Sequence, residues 1–331
     1  MANSVFDVCV VGAGLSGLLA ARELKNRGLR VLVLDKGRGV GGRLSRRRTD
    51  GGAFDHGAQY FTARSEVFRR LVKGWLEAGL IREWATGFSL PDGTLKDDGE
   101  PRYRGVTGMT SVPKFLAQGL DVQVNSRVVK IEAHSSGWQL SLEGGGDFHG
   151  RSVILTAPAP QSLQLMAAGG TVLPDHVMSD LNRIVYDPCL ALMVRLEHAS
   201  LIPEPGGVWL PGEPVSWIAD NSQKGVCQGA GSAITIHAGP QYSREHWDSA
   251  EAEVTTTLVA ESSTWLGAKP IETQLHRWLY SHPSVLYPDR CYCQNGETPL
   301  ALAGDGFGGA RVEGAALSGL AVADAIGDRL C

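Results

Sequence analysis

The hydrophobic pattern opens on Val5-Phe6-Asp7-Val8-Cys9-Val10-Val11, a short, mostly β-branched run that predicts a strand buried on both faces. Residues 18–27 are rich in Ala, Leu, Arg, Glu and Lys and predict a helix; Gly28 stops it, and residues 29–34 return as strand. Further along, 122–131 and 137–142 alternate apolar and polar positions like the two strands of a hairpin. Residues 153–155 then read as a buried strand that ends in the Pro-bearing turn 156–160. From about 161 to 288 the pattern changes to short alternating strands such as 190–196 and 233–237, with one helix, 249–265, that turns Val254, Leu258 and Trp265 to a core. The closing segment predicts a strand at 300–303, a turn at 304–306 and an Ala/Leu-rich helix over 312–326.

Length and composition narrow this to an ordinary globular chain. With 331 residues, 43% hydrophobic and 20% charged, it is long enough for about two domains. Its 42 glycines point to many tight turns or close backbone contacts with a ligand. A formal charge of −4 argues against nucleic-acid binding, which needs a basic face. The six cysteines are scattered, and Cys291 and Cys293 stand too close for a zinc knuckle, so no metal site is expected. The opening strand leaves no basic, leader-like segment, and a cytoplasmic location is expected. Residues 152–174 carry no charged side chain, yet Pro158, Pro160, Gln161, Gln164 and Gly169-Gly170 break their apolar character, so no membrane insertion is expected.

Gly12-Ala13-Gly14-Leu15-Ser16-Gly17 sits between the first strand and the first helix. In that position Gly12 permits the tight turn, Gly14 lets backbone approach a pyrophosphate at the helix N-terminus, and Gly17 lets helix and strand pack closely. Asp35, at the end of the second strand, falls where a ribose hydroxyl belongs. The unit predicts a bound dinucleotide and does not decide between NAD and FAD.

The continuation, Lys36-Gly37-Arg38-Gly39-Val40-Gly41-Gly42-Arg43, followed by Asp55-His56-Gly57-Ala58-Gln59-Tyr60-Phe61, is absent from ordinary NAD domains. It resembles the extended motif of the flavoprotein family that includes amine oxidases, carotenoid desaturases and renalases. Residues 304–309 also spell G-x-G-x-x-G, but only 22 residues follow Gly309, too few for a second βαβ unit. They read instead as a cap on the first domain. In flavoproteins of this resemblance the Gly304-Asp305 pair meets the ribityl chain, and the next helix points its positive end at the flavin. The resemblance implies an α/β fold with a Rossmann-type FAD-binding domain (1–75, 100–165 and 289–331) and a substrate domain of mixed or antiparallel sheet plus helices (76–99 and 166–288). It implies non-covalent FAD contacted by Gly12, Gly14, Leu15, Ser16, Gly17, Asp35, Lys36, Gly42, Arg43, Gln59, Tyr60, Val128, Gly304, Asp305, Val312 and Glu313.

Trp217-Ile218-Ala219-Asp220-Asn221-Ser222, Ile236-His237-Ala238-Gly239 and His276-Arg277-Trp278-Leu279-Tyr280, with the stretch from Gly57 to Arg64, sharpen the likeness to bacterial renalases. That resemblance implies oxidation of 2- and 6-dihydro isomers of NAD(P)H by hydride transfer to flavin N5, with oxygen or a quinone as electron acceptor. A small dinucleotide is then the substrate. Asn221, His237 and Trp278 are expected to line the substrate face, with Tyr60 and Thr62 near the flavin. Aromatisation drives such a reaction, so positioning matters more than a strong base. Arg43, Arg46, Arg47, Arg48, Arg64 and Arg104 read either as solvated surface or as partners of the substrate's pyrophosphate. The competing expectations are a flavin amine oxidase and a flavin-binding redox protein without turnover.

Overall fold

The computed structural model describes residues 5–229 and 231–330. Its first sheet has eight strands. Val5–Val11 lies at its centre, paired in parallel with Val31–Leu34 on one side and Asp147–Leu155 on the other. Asp121–Gln123 adds in parallel beyond Val31–Leu34, and Leu300–Leu302 adds in parallel beyond Asp147–Leu155, followed by antiparallel Tyr292–Cys293. The central strand is apolar on both sides because both faces are covered: Val8 and Val10 meet the helices Leu15–Asn26 and Arg311–Leu330, whereas Cys9 and Val11 meet the hairpin and the helix Ala159–Ala168.

The hairpin differs from its sequence reading. Asn125 takes a left-handed φ of 53°, so residues 122–131 do not form one strand. Asp121–Gln123 instead joins the parallel sheet, and Val128–His134 pairs with Gly137–Leu142. Asparagine tolerates that conformation at modest cost, and a period-2 pattern cannot reveal the break. The helix expected over 249–265 likewise ends at Glu261 and resumes as Ser263–Leu266.

The second sheet has seven strands in the order Pro270–Val285, Val185–Leu196, Ser232–Ala238, Val215–Asp220, Gly207–Trp209, Ile81–Ser89 and Leu95–Gly105. The last two form a hairpin that runs across the boundary expected at 99/100. Leu190, Leu192, Val194, Ile234 and Ile236 face one way, onto the helix Glu251–Glu261 through Val254 and Leu258. The opposite face carries the small hairpin Arg46–Thr49/Gly52–Asp55, whose Phe54 packs on Met193 and Ala233. Among the described residues no helix is long and apolar enough to cross a membrane.

The two ends of the chain meet. Leu300–Leu302 is separated from Val5–Val11 by one strand, and the final helix packs along the first so tightly that a Cβ at Gly319 would collide with the Ser16 backbone.

Candidate active site

The glycine turn has the geometry of a phosphate cradle. Gly12 holds φ +114°, and a Cβ at Gly17 would collide with the Gly12 carbonyl, so both positions are fixed by the protein's own packing. Gly14 is different. Its φ of −76° suits any residue, and a Cβ there would meet no protein atom within 4 Å. The missing side chain therefore leaves room for something other than protein. Gly14 also caps the first helix, whose opening turn has no side-chain cap and no acid, leaving its first N–H groups directed outward. Leu15 and Ser16 are buried in that turn, and the Ser16 hydroxyl has no partner. Asp35 receives the Ala13 and Gly37 amides, both at 2.6 Å, which pins the acid beside the turn. Lys36 reaches Gln161 at 3.3 Å, and burial followed by Arg127 lowers its pKa despite the opposing effect of Asp35.

Residues after the second strand close over this turn. Gly41 N donates to Ala13 O at 2.8 Å, and the Cβ position of Gly42 stands 3.6 Å from Gly14 Cα. Arg43 makes a bidentate pair with Asp305 (2.7 and 2.6 Å) and donates to the Tyr280 carbonyl at 3.1 Å. The opening and closing motifs are thus held side by side. Gly304, at φ +135°, donates its N–H to the Ser318 hydroxyl at 2.8 Å and faces the Thr156 carbonyl. The uncapped helix, the vacant Gly14 position and the orphan serine fit a dinucleotide pyrophosphate. Val128 is buried in the core with Leu34, Ile131 and Leu140, and Val312 in the core shared by the first and last helices. Glu313 acts elsewhere: its carboxylate accepts the Arg64 and Ser65 amides at 2.9 and 2.7 Å, anchoring the helix Glu66–Glu77. Gln59 is buried, with its amide on the Asp55 and Gly57 carbonyls and its own oxygen unpartnered.

Facing the cradle, the second sheet presents one row of side chains across its strands. Strand register sets Trp209 opposite Trp217, Trp217 opposite His237, His237 opposite Ala191 and Ala191 opposite His276. Residues paired this way project to the same face. The small Ala191 between the two histidines leaves the row open there, and His56 comes in from the hairpin. His56 lies 4.8 Å from His276 and stacks at 5.2 Å on Trp278 between ring centroids. Its carbonyl accepts Trp278 Nε1 at 2.9 Å and faces His237 Nε2 at 3.2 Å. Tyr60 continues the wall against Phe88 and Trp217, at 5.1 and 5.8 Å. Thr62 is half-buried next to Phe61, whose backbone pairs with Tyr103.

The imidazoles of this wall are neutral at physiological pH. Burial, then His276 and Arg47, lower the His56 pKa to about 3; burial lowers His237 to about 4; burial and Arg47 lower His276 to about 4. No carboxylate pairs with any of the three among the described residues.

Asn221 lies beneath the wall and not on it. It is fully buried, its oxygen accepts Asp55 N at 3.0 Å, and its amide donates to Ala233 O and Thr235 Oγ1 at 3.0 and 2.9 Å. It belongs to a clamp that sequence reasoning missed: Lys224 Nζ and Asp55 Oδ2 form a 2.9 Å ion pair with both side chains sealed from solvent. A lysine in a turn reads as solvated, and only its position three residues after Asn221 hints otherwise. His56 and His276 were also missed as site residues; His276 shares the alternating face of Trp278, which was the available signal. Two surface hollows of ≈ 350 and ≈ 270 Å³, beside Val259–Pro270 and beside Glu213 and Tyr242, include none of these residues.

A Rossmann-type cradle capped by the chain's far end, set against a second sheet bearing an aromatic wall, defines a flavoprotein oxidoreductase. Residues 10–75 match the NAD(P)-binding Rossmann-like domain profile, and residues 65–327 match the flavin containing amine oxidoreductase profile. The chain belongs to the flavin containing amine oxidoreductases. Within them it is renalase-like: it is 27% identical to mouse (Mus musculus) renalase over 95% of this chain and 97% of the relative. A putrescine oxidase of Kocuria rosea is 39% identical over 27% of this chain and 19% of its own length. The structure of cyclohexylamine oxidase from Brevibacterium oxydans superposes with a TM-score of 0.73, at 14% identity, over 99% of this chain and 100% of that one, a likeness of fold. The protein is a flavin-dependent oxidoreductase.

Proposed function

We propose that the chain binds FAD non-covalently and oxidises 2- and 6-dihydro isomers of NAD(P)H to NAD(P)+, passing the electrons to oxygen or a quinone. The observation that carries this reading is the wall of neutral His56, His237 and His276 with Trp278, which offers flat surfaces and hydrogen-bonding edges but no carboxylate base. A hydride donor whose ring becomes aromatic on oxidation needs no proton taken from carbon, so placement is the main demand on the protein.

Gly12, Gly14, Ser16 and Gly17 would hold the pyrophosphate, Asp35 the adenosine ribose, and Gly42, Arg43, Gly304 and Asp305 the flavin side. FAD supplies the hydride acceptor, flavin N5. Trp278 supports the pyridine ring, its indole fixed by the bond to the His56 carbonyl. His237 is oriented by the same carbonyl and offers its ring to the substrate carboxamide. Tyr60 and Thr62 close the pocket, and Asn221 keeps Asp55 and His56 in place from behind.

The amine oxidase reading has one observation in its favour, a tyrosine pair, Tyr186 and Tyr280, 5.6 Å apart at 75°. The Arg43 guanidinium, paired with Asp305, lies 5.9 Å over the Tyr186 ring, so one side of that pair is already occupied by protein. The test is anaerobic mixing of the purified yellow protein with each NAD(P)H isomer and with benzylamine or putrescine. Rapid loss of flavin absorbance with the isomers alone is expected; bleaching by the amines alone would assign the other activity.

A further inference from the structure

The second-sheet face holds a polar strip next to the histidine wall that neither the cradle nor the hydride step uses. The small hairpin lies along the sheet so that His56 meets His237 and His276, Phe54 meets Met193 and Ala233, and Gly52 comes near Ala233. Its outer strand carries Arg47, opposite Phe54 and close enough to His276 to oppose its protonation, and Thr49, opposite Gly52. Gln274 stands opposite Met193 in register, and so on the face that Phe54 covers. At the far end the Arg195 guanidinium rests on Gly51, where any Cβ would collide with it.

Arg47 Nε, Thr49 Oγ1, Arg195 Nε, Gln274 Oε1 and His56 Nδ1 are all buried without a hydrogen-bond partner. Such groups are ordinarily satisfied, and Arg47, Thr49 and Arg195, all on this strip, leave donors there for a polar guest. Neither arginine makes an ion pair among the described residues, although Glu272 stands opposite Arg195 in register. Two guanidiniums without a carboxylate select an anion, and their forked donors match phosphate oxygens. Gln274 is two residues from His276 on one strand, about 7 Å along the sheet. A ribose between a ring held at the wall and its 5′-phosphate spans a comparable distance.

We propose that Arg47 and Arg195, with Thr49, form an anion subsite that holds the phosphate or pyrophosphate of the substrate. This rests on the dihydronicotinamide reading for its substrate, but the subsite is testable without it. ADP-ribose, which carries the pyrophosphate and no pyridine, is titrated into the FAD-loaded protein by calorimetry, for wild type, Arg47→Gln, Arg195→Gln and Arg47→Lys. In parallel, steady-state oxidation of the 6-dihydro isomer of NADH is compared with that of the phosphate-free isomer of dihydronicotinamide riboside. Loss of either fork should weaken ADP-ribose about tenfold and raise KM for the dinucleotide by a similar factor with kcat unchanged. KM for the riboside should not move, and Arg47→Lys should restore part of the affinity. Unchanged ADP-ribose binding in the glutamine variants, or equal KM increases for both substrates, would overturn the subsite. Arginine-dependent ADP-ribose binding by a protein that oxidises neither isomer would leave the subsite standing and remove the proposed reaction.

Discussion

Replacing Lys224 with Met isolates the clamp that seats His56. The stem of the side chain is kept, and the ammonium that faces Asp55 at 2.9 Å and the Trp84 ring at 4.9 Å is removed. At an effective dielectric of about 20 the attraction across that distance is about 6 kcal/mol, comparable with the several kcal/mol needed to strip water from each ion. The pair as a whole is therefore close to neutral for stability. Breaking it is not, because the carboxylate would stay sealed with only Met109 N, at 2.9 Å, to receive. Lys224→Met should destabilise the protein by about 3–5 kcal/mol. In Lys224→Met combined with Asp55→Asn the oxygen that accepts Met109 N is retained and no charge is left, so the double variant should recover at least half of that loss. Urea denaturation of the FAD-loaded proteins, followed by tryptophan fluorescence, reads all four corners of the cycle. A single-variant loss below about 1 kcal/mol, or a double variant equal to the sum of the singles, would refute the argument.

Four further outcomes follow from the same geometry. Gly14→Val should fold with near-normal stability and purify colourless, whereas Gly17→Ala should lose stability through its clash with the Gly12 carbonyl; a yellow Gly14→Val protein would contradict the cradle. Stability should fall on acidification from pH 7 to 5.5, because His56, His237 and His276 stay neutral when folded but take up protons near 6.5 when unfolded. The loss is about 1 kcal/mol for each, and His276→Gln, compared by denaturation at both pH values, should lose less than wild type by about that amount. The rate of flavin reduction by the isomers should show no inflection between pH 6 and 8, since the wall titrates at about 3 to 4; a step near 6.5 in stopped-flow traces would show that one of these histidines is solvated. Trp278→Phe keeps a ring but removes the donor to the His56 carbonyl, and should lower kcat/KM for the isomers about fivefold; an unchanged value would remove Trp278 from the wall's hydrogen bonding.

The cradle was legible in the sequence because its parts are local: strand, glycine turn, helix and acid occupy residues 5–35, and the spacing alone imposes their geometry. The meeting of the two chain ends was legible by exclusion, since the second glycine motif had no room to build its own domain. The wall was only half legible. Trp278 and His237 stood in recognisable stretches, but His56 joins His237 through a hairpin docked across 181 residues of chain, and no periodicity encodes such a contact. Asn221 illustrates the converse error. A polar residue in a distinctive stretch was expected to face the substrate, and its amide instead satisfies Asp55, Ala233 and Thr235. Burial decides between those outcomes, and burial is a property of the packed sheet.

Charge ties the wall and the strip together. Three imidazoles held neutral by burial, with Arg47 opposing protonation of His56 and His276, make a surface that tolerates a neutral ring and disfavours a cation. In the proposed reaction a dihydropyridine would arrive neutral and leave as a pyridinium, so its ring would be held less tightly after oxidation than before. The guanidiniums of the proposed subsite would act on the other end of the molecule, where the phosphate charge does not change during the reaction. A substrate with a neutral ring and an anionic tail would thus meet charges that favour binding before hydride loss and release after it. A protonated amine carries a positive charge from the start and would meet Arg47 beside the histidines. On the proposed reading Arg47 would discriminate between a neutral ring and an ammonium more directly than the aromatic residues do, because either can lie flat on an indole.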